Sequence, residues 1–99
     1  MKTISFIWDQ QKDTENRRKH KISFEEAQTV FTDPNARMIF DPDHSDQEDR
    51  FVILGISSAL RLLVVCHCYR EKDMVIRIIS ARKATKQEKN QDGEFYHEK

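Results

Sequence analysis

Glycine occurs only twice in this 99-residue chain, at Gly55 and Gly93. The loops that cradle nucleotide phosphates need two or three glycines within a few residues, so no Walker or dinucleotide motif can be built. No serine stands in a nucleophile-elbow context. Most nucleotide-dependent and acyl-transfer chemistry is thereby excluded. Cysteine is equally scarce. Cys66 and Cys68 lie two apart in an apolar run, where a strand points both to one face. That geometry is poorly suited to a disulfide, and a zinc site lacks its second ligand pair. They read as small buried hydrophobes. No run of about 18 apolar residues is present, which argues against a membrane-spanning helix. Met1 to Asp9 lacks the pattern of a secretory signal. A cytoplasmic location is the expectation.

An excess of charge is also missing, because 17 Lys and Arg balance 17 Asp and Glu. A nucleic-acid-binding domain usually carries a basic footprint, so the total argues against one. The distribution argues otherwise. Arg17, Arg18, Lys19, His20 and Lys21 form a basic cluster, Asp41, Asp43, Asp46, Glu48 and Asp49 an acidic one, and the chain is basic again from Phe51 to Lys83. A dipolar molecule can hold RNA on one face and keep an acidic loop elsewhere.

What is present fits one domain over residues 1–91, with residues 92–99 as a frayed tail. Ile4 to Trp8 opens as a short aromatic strand. Asp9 is placed to cap a helix over Gln10–His20 that has almost no apolar residue, so its surface must meet water or charge. Ser23-Phe-Glu-Glu26 is a capping box preceded by Ile22, which predicts a helix from Phe24 to Thr32 stopped by Asp33-Pro34. Strands follow at Ala36–Phe40, Arg50–Ile56, Arg61–Arg70 and Met74–Arg82. Thr85-Lys-Gln-Glu88 is a second capping box, opening a helix that ends near Asp92-Gly93. The predicted architecture is α+β: a four-stranded antiparallel meander plus the N-terminal strand, with helices packed on one face.

Candidate chemistry centres on the last hairpin. With Glu71-Lys72-Asp73 as a three-residue loop, Arg70 pairs with Met74 and His67 stands opposite Arg77, their β-carbons about 5 Å apart. Histidine titrates near neutrality and arginine forks two phosphate oxygens. RNA cleavage without metal needs a proton carrier for the 2′-hydroxyl and stabilisation of the phosphorane. A solvated Arg77 with His67 packed beside it is the bland alternative. The basic cluster Arg17 to His20 suits either a helix C-terminus or a phosphate track. The Asp41–Glu48 stretch fails as a calcium loop, since Asp46 stands where glycine belongs and Val52 where glutamate belongs.

Taken in order, several segments resemble the BrnT family of bacterial toxins. They are Phe6-Ile-Trp8-Asp9, Asn16-Arg-Arg-Lys19-His20, Ser23-Phe-Glu-Glu-Ala27, Val30-Phe31, Asp41-Pro-Asp-His44-Ser45, Glu48-Asp-Arg50-Phe51, Leu54-Gly55, Leu63-Val-Val65, His67 and Arg77-Ile-Ile-Ser80-Ala81-Arg82-Lys-Ala84-Thr85. The match runs from about residue 6 to residue 88. The resemblance implies a RelE-like fold and a metal-independent ribonuclease that blocks translation. It also implies neutralisation by a BrnA-type antitoxin in a two-plus-two complex, which represses its own operon and reaches operator DNA only through the antitoxin. No cofactor is implied. Carried over residue by residue, His67 is the general acid/base and Arg77 the phosphate stabiliser. Lys19, His20, Ser80 and Arg82 contact RNA. By simple alternation Arg82 points away from Arg77, and it joins the same site only if the strand ends or bulges near Ser80; otherwise it belongs to antitoxin contact or helix packing. Two other functions compete: a non-catalytic module that represses DNA together with the antitoxin, and a metal-dependent enzyme using Asp43, His44 and Glu48.

Overall fold

The structure, a computed structural model, describes residues 3–41 and 49–90. Their elements are β1 (Ser5–Ile7), α1 (Gln10–His20), α2 (Phe24–Gln28) extended by a 3-10 turn (Thr29–Thr32), β2 (Arg37–Asp41), β3 (Arg50–Ile56), β4 (Leu62–Arg70) and β5 (Val75–Lys83). A helical segment occupies 86–90. The sheet order is β1-β5-β4-β3-β2. Strands β2 to β5 form the antiparallel meander, and β1 adds to β5 in parallel. This is the α+β architecture anticipated. The acidic residues 42–48, with the metal reading placed on Asp43, His44 and Glu48, lie outside the described residues, as does the end of the last helix.

Helix starts follow the side chains that cap them. Asp9 accepts from the backbone N–H groups of Gln11 and Lys12 at 2.8 and 3.1 Å, and the basic residues Arg17 to His20 occupy the last turn, where cations suit the dipole. Ser23 caps α2 through the Glu26 N–H at 3.0 Å. The reciprocal half of that box is replaced. The Glu26 carboxylate turns to the Ser57 hydroxyl and to the Arg61 guanidinium, whose hydrogen bonds hold its pKa below the usual carboxylate value despite burial.

The core lies between the helices and one face of the sheet. Ile22, Phe24, Ala27 and Val30 meet Ile53, Leu63, Val65, Ile78 and Ala81. Complete burial of a side chain such as Phe24 contributes roughly 1.5–3 kcal/mol. The 3-10 turn presses close to β3 at Gly55, where a β-carbon would stand 2.9 Å from both Ala36 Cβ and Val30 Cγ1. Only glycine admits that approach. A smaller cluster of Leu54, Val64 and Ala84 covers part of the opposite face.

Helix α1 joins this core without apolar side chains. Its buried residues are Asp13 and Asn16. Asp13 accepts from the Phe24 N–H at 2.8 Å. Asn16 donates to the carbonyls of Ile22 and Ala81, each at 2.8 Å, and accepts from the Ala81 N–H at 3.1 Å. Strand β1 pairs with β5 only over Val75 to Arg77. Further along β5, the Asn16 amide takes the place of the missing neighbour strand at Ala81.

The last hairpin departs from the expected register. Arg70 pairs with Val75, Tyr69 with Ile76, Cys68 with Arg77 and His67 with Ile78. The loop holds four residues, and Glu71, Lys72 and Asp73 all take positive φ (50°, 57° and 69°). None of the three is a glycine and only Asp73 is of a type that tolerates that conformation readily, so the left-handed run was not legible in the residues. The shift of one residue separates His67 from Arg77 onto opposite faces.

Replacing Asn16 by alanine leaves one N–H and two carbonyls without their partner in a buried setting, at about 1–3 kcal/mol for each group left unsatisfied. The Asn16→Ala variant is expected to lose roughly 2–5 kcal/mol of stability in urea denaturation. A loss below about 0.5 kcal/mol, the range of an ordinary surface substitution, would show that the amide is not holding β5.

Candidate functional site

A β-bulge decides which side chains meet on the open face of the sheet. Cys66 pairs with Ser80, yet the next residue, His67, pairs with Ile78, so Ile79 is an extra residue in β5. Alternation resets there. Arg77 opposite Cys68, Ser80 opposite Cys66, and Arg82 opposite Val64 therefore share the face away from α2. Arg82 joins Arg77 by the condition that simple alternation left open. Arg50 lies in the same row, opposite Cys68. The sequence places it at a strand start and within the segments that resemble the family, but assigns it no role in the site; a correct strand register was the signal that could have found it. Arg50, Val52, Val64, Cys66, Ile79, Ser80 and Arg82 line a shallow cavity of about 280 Å³.

The arginines on this face differ in how their charge is met. Arg82 grips Glu88 in a two-point fork, Nη1–Oε1 at 2.8 Å and Nη2–Oε2 at 2.9 Å, and Nη1 also donates to the Lys83 carbonyl at 3.3 Å. The fork holds the Glu88 carboxyl down at about 2. Glu88 also closes the second capping box, accepting from the Thr85 N–H at 2.7 Å while Thr85 accepts from the Glu88 N–H. The capping box was legible in the sequence, but its reach to Arg82 was not. Arg77 has no hydrogen bond or ion pair among the described residues and is half-buried. Among the described residues no carboxylate is paired with it, so an incoming anion meets it without displacing one.

His67 lies on the other face and has no exposed surface. The expectation of His67 and Arg77 side by side on an open face is therefore corrected, because the hairpin register turns the histidine inward. Phe31 meets its ring edge-on with centroids 4.7 Å apart, and Phe51 and Tyr69 complete an aromatic box. Nδ1 lies 3.2 Å from the Val65 carbonyl. That oxygen can only accept, so Nδ1 carries a proton and Nε2 of the neutral ring faces the Tyr69 hydroxyl at 3.4 Å. Burial pushes the His67 pKa down, against the Val65 hydrogen bond that raises it. Tyr69 opens onto a separate cavity of about 450 Å³ with Asp49, Phe51 and Asp73, and burial, then Asp73, raises its pKa. Two carboxylates make that cavity a poor place for a phosphate.

Lys19 and His20 end α1 in the helix layer, Lys19 exposed and His20 half-buried. They are not brought together with the arginine face. Among the described residues no group of three His, Cys, Asp or Glu side chains is placed to hold a metal ion, and no helix is long and apolar enough to cross a membrane.

The chain is similar to known proteins at two levels. A family model described as "Ribonuclease toxin, BrnT, of type II toxin-antitoxin system" matches residues 8–88. A crystal structure of the Brucella abortus ribonuclease toxin BrnT superposes with a TM-score of 0.64 at 22% identity, covering 85% of this chain and 100% of that one. At that identity the superposition establishes the fold. No curated protein matches the chain.

The depressed pKa of His67 has a signed consequence. The unfolded chain binds this proton more readily, so the neutral, buried ring contributes its full stability above the unfolded pKa of about 6.5. Stability falls as pH drops below that value, by up to about 1.4 kcal/mol per pH unit, until the folded pKa is reached. Urea midpoints from pH 8 to 5 are expected to show this loss in the native chain and a shallower one in His67→Gln. Parallel curves for the two proteins would rule out His67 as the source.

Proposed function

Because the chain belongs to the BrnT family of ribonuclease toxins of type II toxin–antitoxin systems, we propose that it is a metal-independent endoribonuclease whose RNA lies across the open face of the sheet. In this reading it blocks translation, acts in the cytoplasm and is neutralised by a BrnA-type antitoxin, in a two-plus-two complex that reaches operator DNA through the antitoxin. The observation that carries the site is the bulge at Ile79, which gathers Arg77, Ser80 and Arg82 beside Arg50 on one exposed surface.

Arginine guanidinium groups beside a hydroxyl suit a phosphodiester. Arg77 holds the non-bridging oxygens of the scissile phosphate. The 2′-oxygen then bonds to phosphorus as the P–O5′ bond breaks, leaving a 2′,3′-cyclic phosphate and a 5′-hydroxyl. The 2′-hydroxyl proton leaves to water and the departing O5′ takes one up. Arginine charge on the phosphorane supplies the acceleration, and a preorganised donor of this kind is worth about 10²–10³ in rate. Arg82, already forked to Glu88, serves the neighbouring phosphate with its remaining N–H groups. Lys19 and His20 track the RNA backbone where it leaves the sheet. In this scheme His67 is a positioning residue. Packed in its aromatic box, it fixes β4 opposite the bulge and so sets the spacing of Ser80 and Arg77. Burial supports this role over direct proton transfer to RNA.

One observation favours a second reading. The histidine expected to move protons has no exposed surface, as suits a non-catalytic module that represses DNA together with the antitoxin.

The deciding experiment is cleavage of a defined RNA by purified chain in EDTA. Arg77→Ala is expected to lose about 10²–10³ in rate, and Arg82→Ala less, because its charge is already matched by Glu88. Arg77→Lys keeps the charge without the fork and recovers only part of the loss. If folded native chain leaves RNA intact with and without ribosomes, the binding-module reading replaces this one.

A further inference from the structure

Arg82 is gripped along one side of its guanidinium plane and left open along another. The group carries five N–H donors in a fixed planar array. Nη1 and Nη2 fork onto the Glu88 carboxylate at 2.8 and 2.9 Å, and Nη1 also donates to the Lys83 carbonyl at 3.3 Å. Two hydrogens remain, the one on Nε and the outer one on Nη2. They run parallel along the other edge of the plane and form a second fork for a two-oxygen anion. Among the described residues nothing accepts from that edge, and the side chain keeps 42% of its surface exposed. Glu88 is itself anchored. Its carboxylate accepts from the Thr85 N–H at 2.7 Å, and its own N–H donates to the Thr85 hydroxyl at 3.1 Å.

We propose that Glu88 is a positioning residue for RNA: it locks Arg82 so that the Nε–Nη2 edge is set in advance for one phosphodiester, an assignment that rests on the reading of the open face as the RNA site. The carboxylate stays in place when RNA arrives. A phosphate that displaced it would break both arms of the fork and the bond to the Thr85 N–H, whereas a phosphate on the open edge breaks none of these. A long side chain loses rotamer freedom when it takes up a ligand, and Arg82 has lost that freedom already. Glu88 has a second effect of opposite sign. Its charge cancels that of Arg82, so it also repels the phosphate it helps to hold. Repulsion between exposed charges is screened by salt, while the geometry of the fork is not. Salt therefore separates the two effects.

Binding of a 2′-O-methyl RNA oligonucleotide, whose blocked 2′-oxygen cannot attack, tests this apart from nuclease activity. The variant is Glu88→Gln. A capping box accepts Gln in place of Glu, so the cap at Thr85 is kept, but the amide has one acceptor oxygen and cannot receive both N–H groups. At about 0.5 M salt, where a charge reaches only about 4 Å, Glu88→Gln is expected to bind about five- to tenfold more weakly than the native chain. At low salt the uncancelled Arg82 charge offsets that loss. The plot of log Kd against log salt is therefore steeper by about 0.7, the value of one phosphate on a single strand. In an Arg82→Ala background Glu88→Gln causes no loss at high salt, because the residue it acts through is gone. Binding by Glu88→Gln that equals or exceeds the native value at high salt overturns the proposal. So does an equal loss in both backgrounds, which would make Glu88 a purely structural cap. A native chain that does not bind the oligonucleotide at low salt overturns both this and the RNA-site reading. A chain that binds as described yet leaves unmodified RNA intact removes the nuclease reading alone and supports the role of Glu88.

Discussion

The fold turns on three hydrogen bonds made by one side-chain amide. Asn16 bonds to both backbone polar groups of Ala81 and to the Ile22 carbonyl. In doing so it joins α1, the turn into α2, and β5 where that strand has lost its parallel neighbour. A buried strand edge without partners costs as much as the hydrogen bonds it lacks. Were Ala81 left unsatisfied, two buried backbone groups would lose their partners in the segment that carries the bulge, Ser80 and Arg82. The chain thus uses a polar residue on a polar helix to complete a sheet.

Around that clamp the two faces of the sheet have separate tasks. The helix side takes Ile53, Leu63, Val65, Ile78 and the ring of His67, and is closed. The open side keeps a thin apolar floor of Leu54, Val64 and Ala84 and sets arginines above it. A single extra residue, Ile79, assigns the side chains between them. Without it, strict alternation from Arg77 would turn Ser80 and Arg82 to the helix side and Ala81 to the open one.

Much of this could be read from the residues in order. The Asp9 cap, the Ser23 box, the apolar period of the last strands and the antiparallel meander depend on neighbours in sequence, which local patterns encode. Arg77, Ser80 and Arg82 came to notice in another way, as residues that the family resemblance carries over. What was not legible depends on contacts across the fold. The three left-handed residues at the hairpin tip are Glu, Lys and Asp, of which only Asp tolerates that conformation readily, and a loop one residue longer than expected puts His67 on the opposite face from Arg77. Glu88 signalled a helix cap and gave no hint of Arg82. Asn16 looked like one more polar residue in a solvated helix.

The manner in which α1 is attached sets how it lets go. Apolar area binds an element in a way that strengthens on warming from the cold and shows in the heat capacity. Helix α1 contributes almost none, because its buried residues are Asp13 and Asn16. An element held in this way can open locally, at less than the free energy of global unfolding. The Ala81 amide therefore reports on a helix and not on its strand. Its hydrogen exchanges with solvent whenever α1 lifts, while the amides of β4 beside it wait for the whole sheet.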